Sequence, residues 1–158
     1  MLLVMANISG SQIPEIWETE EDKKLSDGNL KHKYFVLARS RFIHKPSAVV
    51  INKDTGWLIE LSRRVISEWR IKSRTRERIL SIQLLDTMIE GAKFLKTVKD
   101  TKNTYGIESM SYFENRCYIN GNLFKTNITV KKQKSLNRMF LLLLGNGSLS
   151  KKITTFDG

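Results

Sequence analysis

Two groups of side chains in this sequence have the types and spacing to do chemistry, and both are cationic. The first is Arg63, Arg64, Arg70, Lys72, Arg74, Arg76 and Arg78, seven cations in sixteen residues with only Glu68 and Glu77 to balance them. Arg74, Arg76 and Arg78 fall in the expected opening turn of a helix, where the macrodipole is already positive and each cation costs about a few tenths of a kcal/mol. Something anionic must compensate. Guanidinium forks beside free amide groups suit a phosphate backbone. Pairing with Glu77, Asp86 or the acidic start of the chain would serve as well.

The second group follows from Asn120-Gly121, the strongest turn signal in the chain, because both residues tolerate the positive φ of a type I′ hairpin. That turn sets the register: Tyr118 opposite Leu123, Cys117 opposite Phe124, Arg116 opposite Lys125, and so on to Tyr112 opposite Thr129. One face then carries Phe113, Cys117, Phe124, Ile128 and Val130. The other carries Tyr112, Glu114, Arg116, Tyr118, Lys125, Asn127 and Lys131. Arg116 opposite Lys125 is a like-charge pair that costs stability unless Glu114 or a bound anion lies between them. Cations along a backbone track, with tyrosine rings for stacking, are what single-stranded or looped RNA recognition uses. Glu114 as general base, with Tyr112 or one of the two histidines as proton donor, would support metal-free transfer of an RNA 2′-hydroxyl onto its phosphate.

Other chemistry is poorly supplied. His32 and His44 are the only histidines and have no ligand spacing, Cys117 is the only cysteine, and there is no glycine-rich phosphate loop or nucleophile elbow. No metal or cofactor is expected. The register points Cys117 inward, as a small hydrophobe. A single cysteine among 158 residues also excludes an internal disulfide and implies a reducing compartment. The longest apolar runs, Met1–Ala6 and Met139–Leu144, hold six residues each, too few to cross a bilayer. With no secretory start either, the expected location is the cytoplasm of a bacterial host, with no membrane partner.

The net charge of +11 is uneven: residues 1–30 carry six acids and two bases, hence −4, which leaves +15 on the remainder. A field of that sign attracts polyanions. We read residues 1–33 as an acidic amino-terminal arm, loose apart from a short helical turn around Ile13, Ile16 and Trp17, and residues 34–158 as a basic α+β domain. Its elements follow from periodicity. Tyr34–Ile43 reads as extended until Pro46, and Ala48–Asn52 meets Trp57–Leu61 in a hairpin across Asp54-Thr55-Gly56. From Ser62 the period becomes helical. Leu61, Val65 and Trp69 define one face, and Ile79, Ile82, Leu85, Ile89, Ala92 and Leu95 a second. The break near Lys72–Thr75 lets Ser73 or Thr75 cap the second helix. Thr97–Gly106 reads as a polar loop. After the Asn120-Gly121 hairpin, Leu136–Leu144 is expected in the middle of the sheet, pairing with Ser148–Thr155. The fold class is α+β: two helices on one face of a curved antiparallel sheet.

The segments VVINKDTGWLIELS, QLLDTMIEGAKF and SYFENRCYINGNLFKTNITVKK resemble the third type of large polyvalent protein-associated domain, found in proteins of phages and other mobile elements. The resemblance spans about residues 48–145 and is carried by Gly56, Leu85–Ala92, Tyr118-Ile119-Asn120-Gly121, Phe124 and Val130. It implies a nuclease-like fold of the barnase, EndoU, colicin and RelE kind. It also implies an origin in which a small basic domain acts against host defence, as an anti-CRISPR-like inhibitor contacting a guide RNA, its ribonucleoprotein or the CRISPR effector. A metal-independent ribonuclease toxin and a structural docking module are the alternatives.

Overall fold

The computed structural model describes residues 2–8, 11–42, 48–99, 106–133, 139–141 and 151–153. The fold is α+β, built on one open sheet. Strands β1 (Leu2–Ile8) and β2 (Ser11–Trp17) form a hairpin, followed by the short helix α1 (Glu20–Lys23) and the long helix α2 (Asp27–Phe42). A second hairpin, β3 (Ala48–Ile51) and β4 (Leu58–Leu61), precedes α3 (Arg63–Lys72), α4 (Arg76–Ser81), a 3₁₀ turn (Ile82–Leu84) and α5 (Leu85–Glu90). Strands β5 (Lys93–Lys99), β6 (Ile107–Ile119), β7 (Asn122–Gln133), β8 (Met139–Leu141) and β9 (Lys151–Ile153) complete the described chain. The strand order is β1-β2-β6-β7-β8-β4-β3, with β5 added on β6 and β9 on β7.

The helix breaks follow from local chemistry. Ser62 caps α3 and Thr75 caps α4, each side-chain oxygen accepting from an amide three residues on. Val65 and Trp69 are buried on α3 as expected, whereas Leu61, buried too, is the last residue of β4. Ile79, Ile82, Leu85, Ile89 and Ala92 are buried too, but the second helix comes in three pieces and ends at Gly91. Leu95 is a correction: it lies in β5, half-exposed, where the β5–β6 register shifts between Phe94 and Lys96. The expected polar loop begins later than Thr97, since β5 runs to Lys99; residues 100–105 lie outside the described set.

The largest correction is residues 34–43. Residues 34–42 belong to α2, which buries Leu30, Tyr34, Ala38 and Phe42 at four-residue spacing. Phe35, Val36 and Leu37 put apolar side chains around the rest of the helix and hide its period. The boundary expected at residue 33 lies inside this helix, and the described residues before it form β1, β2 and α1. Ile16 is fully buried, and β2 runs parallel to β6 with Glu15 opposite Tyr118. That pairing and the parallel β4–β8 pairing make the sheet mixed rather than wholly antiparallel. Met139–Leu141 does lie inside the sheet, between β7 and β4. The strand expected to pair with it, described as Lys151–Ile153, pairs with β7 instead.

The β6–β7 register matches the expectation at every position from Tyr112 to Tyr118. Asn120 and Gly121 take φ of 52° and 80°, as the turn requires. The helices cover the face of β6 and β7 that carries Phe113, Cys117, Thr126 and Ile128. There Trp69, Leu84, Leu85 and Met88 meet Cys117 and Ile128 around a cavity of about 20 Å³. The Asn115 amide also donates to the Met88 carbonyl at 3.0 Å. We call this face inner and the opposite one outer.

Candidate nucleic-acid interface

The two cationic groups expected from the sequence lie on opposite sides of the sheet. Helices α3 and α4 sit against the inner face, whereas Arg116 and Lys125 point outward by register.

On the helix side, most of the seven cations have internal work. Arg76 is saturated. Its Nε donates to Glu18 at 2.9 Å, one terminal nitrogen to Asp27 at 2.8 Å and to the Leu25 carbonyl at 3.0 Å, and the other to the Asp22 carbonyl at 2.8 Å. The hydrogen bonds to Asp27 and Glu18 raise its pKa. The anion that the opening turn of α4 requires is therefore the acidic start of the chain. Arg64 pairs with Glu68 at 2.9 Å across one helical turn. Arg78 is drawn partly inward, and burial lowers its pKa. Arg70 stacks 4.5 Å above the Phe35 ring, with Arg39 at 5.6 Å from the same ring. Arg63 lines the groove between α2 and α3 with Phe35, Val36 and Arg39. Lys72 and Arg74 are exposed around the connection to α4.

The acidic segment has its own buried centre. Asp22 is fully buried, beneath Lys33 and Tyr34, both of which donate to its carboxylate. Burial alone would raise this carboxyl, but the hydrogen bonds from Lys33 and Tyr34 hold it below the ordinary aspartate value. Tyr34 shifts upward through burial and its bond to Asp22.

The outer face is arranged differently. Arg116 lies opposite Lys125, and Lys125 lies opposite Lys151 of β9, so three cationic positions stand in one row across three strands. Lys125 pairs with Glu114 at 3.1 Å, which meets the need for an anion between the like charges on β6 and β7. Arg116 has no carboxylate partner among the described residues. Strand β5 adds Lys93 opposite Glu114 and Lys96 opposite Tyr112, with the Lys96 ammonium 5.7 Å from the Tyr112 ring. Lys131 lies on the same face two rows beyond Thr129, and Tyr118 beside Glu15 at the opposite end.

Sequence reasoning missed three contributors. Lys93 and Lys96 were hidden by reading their segment as helix end and loop, although the alternation in Lys93-Phe94 and Thr97-Val98-Lys99 is that of a strand. Trp17 shares the side of Glu15, to which its indole donates at 2.8 Å, and reaches the hairpin tip, where a side chain on Gly121 would meet its ring at 3.2 Å. The tip is anchored there: the Asn120 amide donates to the Ile16 carbonyl at 3.0 Å, and the Asn120 side chain accepts from the Glu18 amide at 2.8 Å.

For catalysis, Glu114 is engaged by Lys125 and Tyr112 by Lys96. His32 is exposed on α2, and His44 is outside the described residues. Cys117 is buried, and burial pushes its thiol up to about 12, as suits a packing residue. No cluster of three metal-ligating side chains occurs among the described residues. Among them, too, no helix is long and apolar enough to cross a membrane.

Residues 17–140 match the model of the large polyvalent protein-associated domain 3. No curated protein and no solved structure matches the chain.

Proposed function

Since the chain belongs to the large polyvalent protein-associated domain 3 family, a domain of phage and mobile-element proteins, we propose that it is an RNA-engaging module whose outer sheet face receives the strand. The observation that supports this most is the row Arg116–Lys125–Lys151, three cationic positions brought side by side by strand register. Glu114 answers Lys125 within the sheet, whereas Arg116 has no carboxylate partner among the described residues, and a polyanion laid across the row would supply its missing counter-charge. Lys93, Lys96 and Lys131 extend the charge along the strands, and Tyr112, Tyr118 and Trp17 offer ring faces to unstacked bases. In a mobile-element protein such a face suits a guide RNA or the RNA-guided effector that holds it, and the domain then acts as a counter-defence inhibitor.

Fluorescence anisotropy with labelled single-stranded RNA, hairpin RNA and duplex DNA tests this. Binding to the RNAs should exceed binding to duplex DNA. Arg116→Ala with Lys125→Ala should weaken it by about tenfold or more while the fold persists. Equal binding to all three, or no loss in the double variant, would overturn the reading. RNA recovered intact after incubation in EDTA limits the activity to binding, whereas cyclic-phosphate ends would assign cleavage.

A further inference from the structure

A cavity of about 440 Å³ opens on the inner face, beyond the helices, at the end of β5, β6 and β7 away from the hairpin tip. Its floor is two cross-strand rows. Lys99 of β5, Ser109 of β6 and Lys132 of β7 stand side by side, and Thr97 stands beside Ser111 in the next row. Its wall is Trp57, from the loop that closes the β3–β4 hairpin.

That wall is fixed. Asn52 is fully buried; its amide donates to the Ile89 and Ala92 carbonyls at 2.8 and 2.9 Å, and its side-chain oxygen accepts from the Thr55 amide and hydroxyl. Gly56 turns the chain at a φ of 76°, and Trp57 packs edge-on against Phe94 and Phe113 at 5.5 and 5.9 Å. The ring is thus held by the core on one side while it lines the cavity on the other.

The polar groups fall into two kinds. The Thr97 and Ser111 hydroxyls bond each other at 2.8 Å, and Lys132 is paired with Glu108 at 3.0 Å. The Lys99 ammonium, the Ser109 hydroxyl and the Trp57 indole N–H have no partner among the described residues. An ammonium beside a hydroxyl recognises a phosphate oxygen, a carboxylate accepts from a sugar hydroxyl or a base amino group, and an indole wall takes a planar ring. The volume is in the range of small-molecule sites, about 300–1,000 Å³.

We propose that this cavity binds a nucleotide, its phosphate at Lys99 and Ser109, its base against Trp57, and its sugar or base-edge donors at Glu108. The site stands on the inner face and does not rest on the outer-face reading. The nucleotide is free in solution or is the phosphorylated end of a strand.

Tryptophan fluorescence tests the site in a Trp17→Phe protein, which removes the exposed indole and leaves half-buried Trp57 and buried Trp69. The probes are AMP, GMP, CMP and UMP, a 5′-phosphorylated oligonucleotide, and inorganic phosphate as a control. A saturable quench by a mononucleotide is expected, absent with phosphate alone and abolished on adding Trp57→Phe. Lys99→Ala, at an exposed position, should weaken it about tenfold, as removal of one charge-assisted hydrogen bond does. A quench by the oligonucleotide only assigns the site to strand ends. No saturable quench by any probe, or one that survives Trp57→Phe or ignores Lys99→Ala, overturns the proposal. Arg116→Ala with Lys125→Ala should leave the quench intact, so failure of the outer face and failure of this cavity give different results.

Discussion

Arg76 and Arg116 carry the same group, yet the chain uses them in opposite ways. Arg76 reaches four oxygens of the acidic first segment and joins α4 to α1 and the start of α2. Arg116 stands on an open sheet beside Lys125, without a carboxylate partner among the described residues. The acidic start of the chain answers Arg76 on the helix side, and it pairs with neither Arg116 nor Lys125 among the described residues. Net charge alone could not tell the two apart, because both clusters contribute to the same +11. What separates them is which side of the sheet each occupies, and therefore which cations remain for a ligand.

The sharpest way to break this contrast is to remove the buried acid. Asp22→Ala should cost about 3 kcal/mol in urea unfolding, because it strands Lys33 and Tyr34 around an empty site, although Lys33 is exposed enough to regain some water. The same carboxyl predicts the acid behaviour. Its folded pKa lies below its unfolded value, so its contribution is present above the ordinary aspartate range and fades as pH falls through the lowered folded value. Wild-type stability should drop over that interval more steeply than that of Asp22→Asn. Arg76→Ala should cost less, about 2 kcal/mol, since its charge-assisted bonds lie nearer to water. Gly121→Ala should follow at about 1–2 kcal/mol, from the left-handed backbone and the contact with Trp17. Arg116→Ala should change stability by no more than about 0.5 kcal/mol. A loss there as large as that at Arg76 would erase the distinction.

The parts of the fold legible in the sequence were those set by local rules. Asn120-Gly121 determined its hairpin register residue by residue, the change of period at Ser62 marked the start of α3, and Thr75, one of the two caps expected for the second helix, caps α4. The misread parts depended on distant partners. Helix α2 has apolar residues on several sides because it faces the core at Leu30 and Tyr34 while Phe35 takes Arg70 and Arg39 from outside. The first strands read as a loose arm because Ile16 finds its burial against β6, a hundred residues later in the chain. The outer face was legible from the turn alone on β6 and β7. Its extension onto β5 was not, because the bulge between Phe94 and Lys96 breaks the alternation.

The dependence of RNA affinity on salt tests the central claim most directly. Removing one cation that neutralises a phosphate of a single strand should lower the slope of log affinity against log salt by about 0.7. Arg116→Ala with Lys125→Ala should therefore flatten the slope by about 1.4 relative to wild type, while Arg63→Ala with Arg74→Ala, on the helix side, should leave it unchanged. An equal flattening by the helix-side pair, or none by the outer pair, would contradict the assignment of the outer face as the surface that receives the strand.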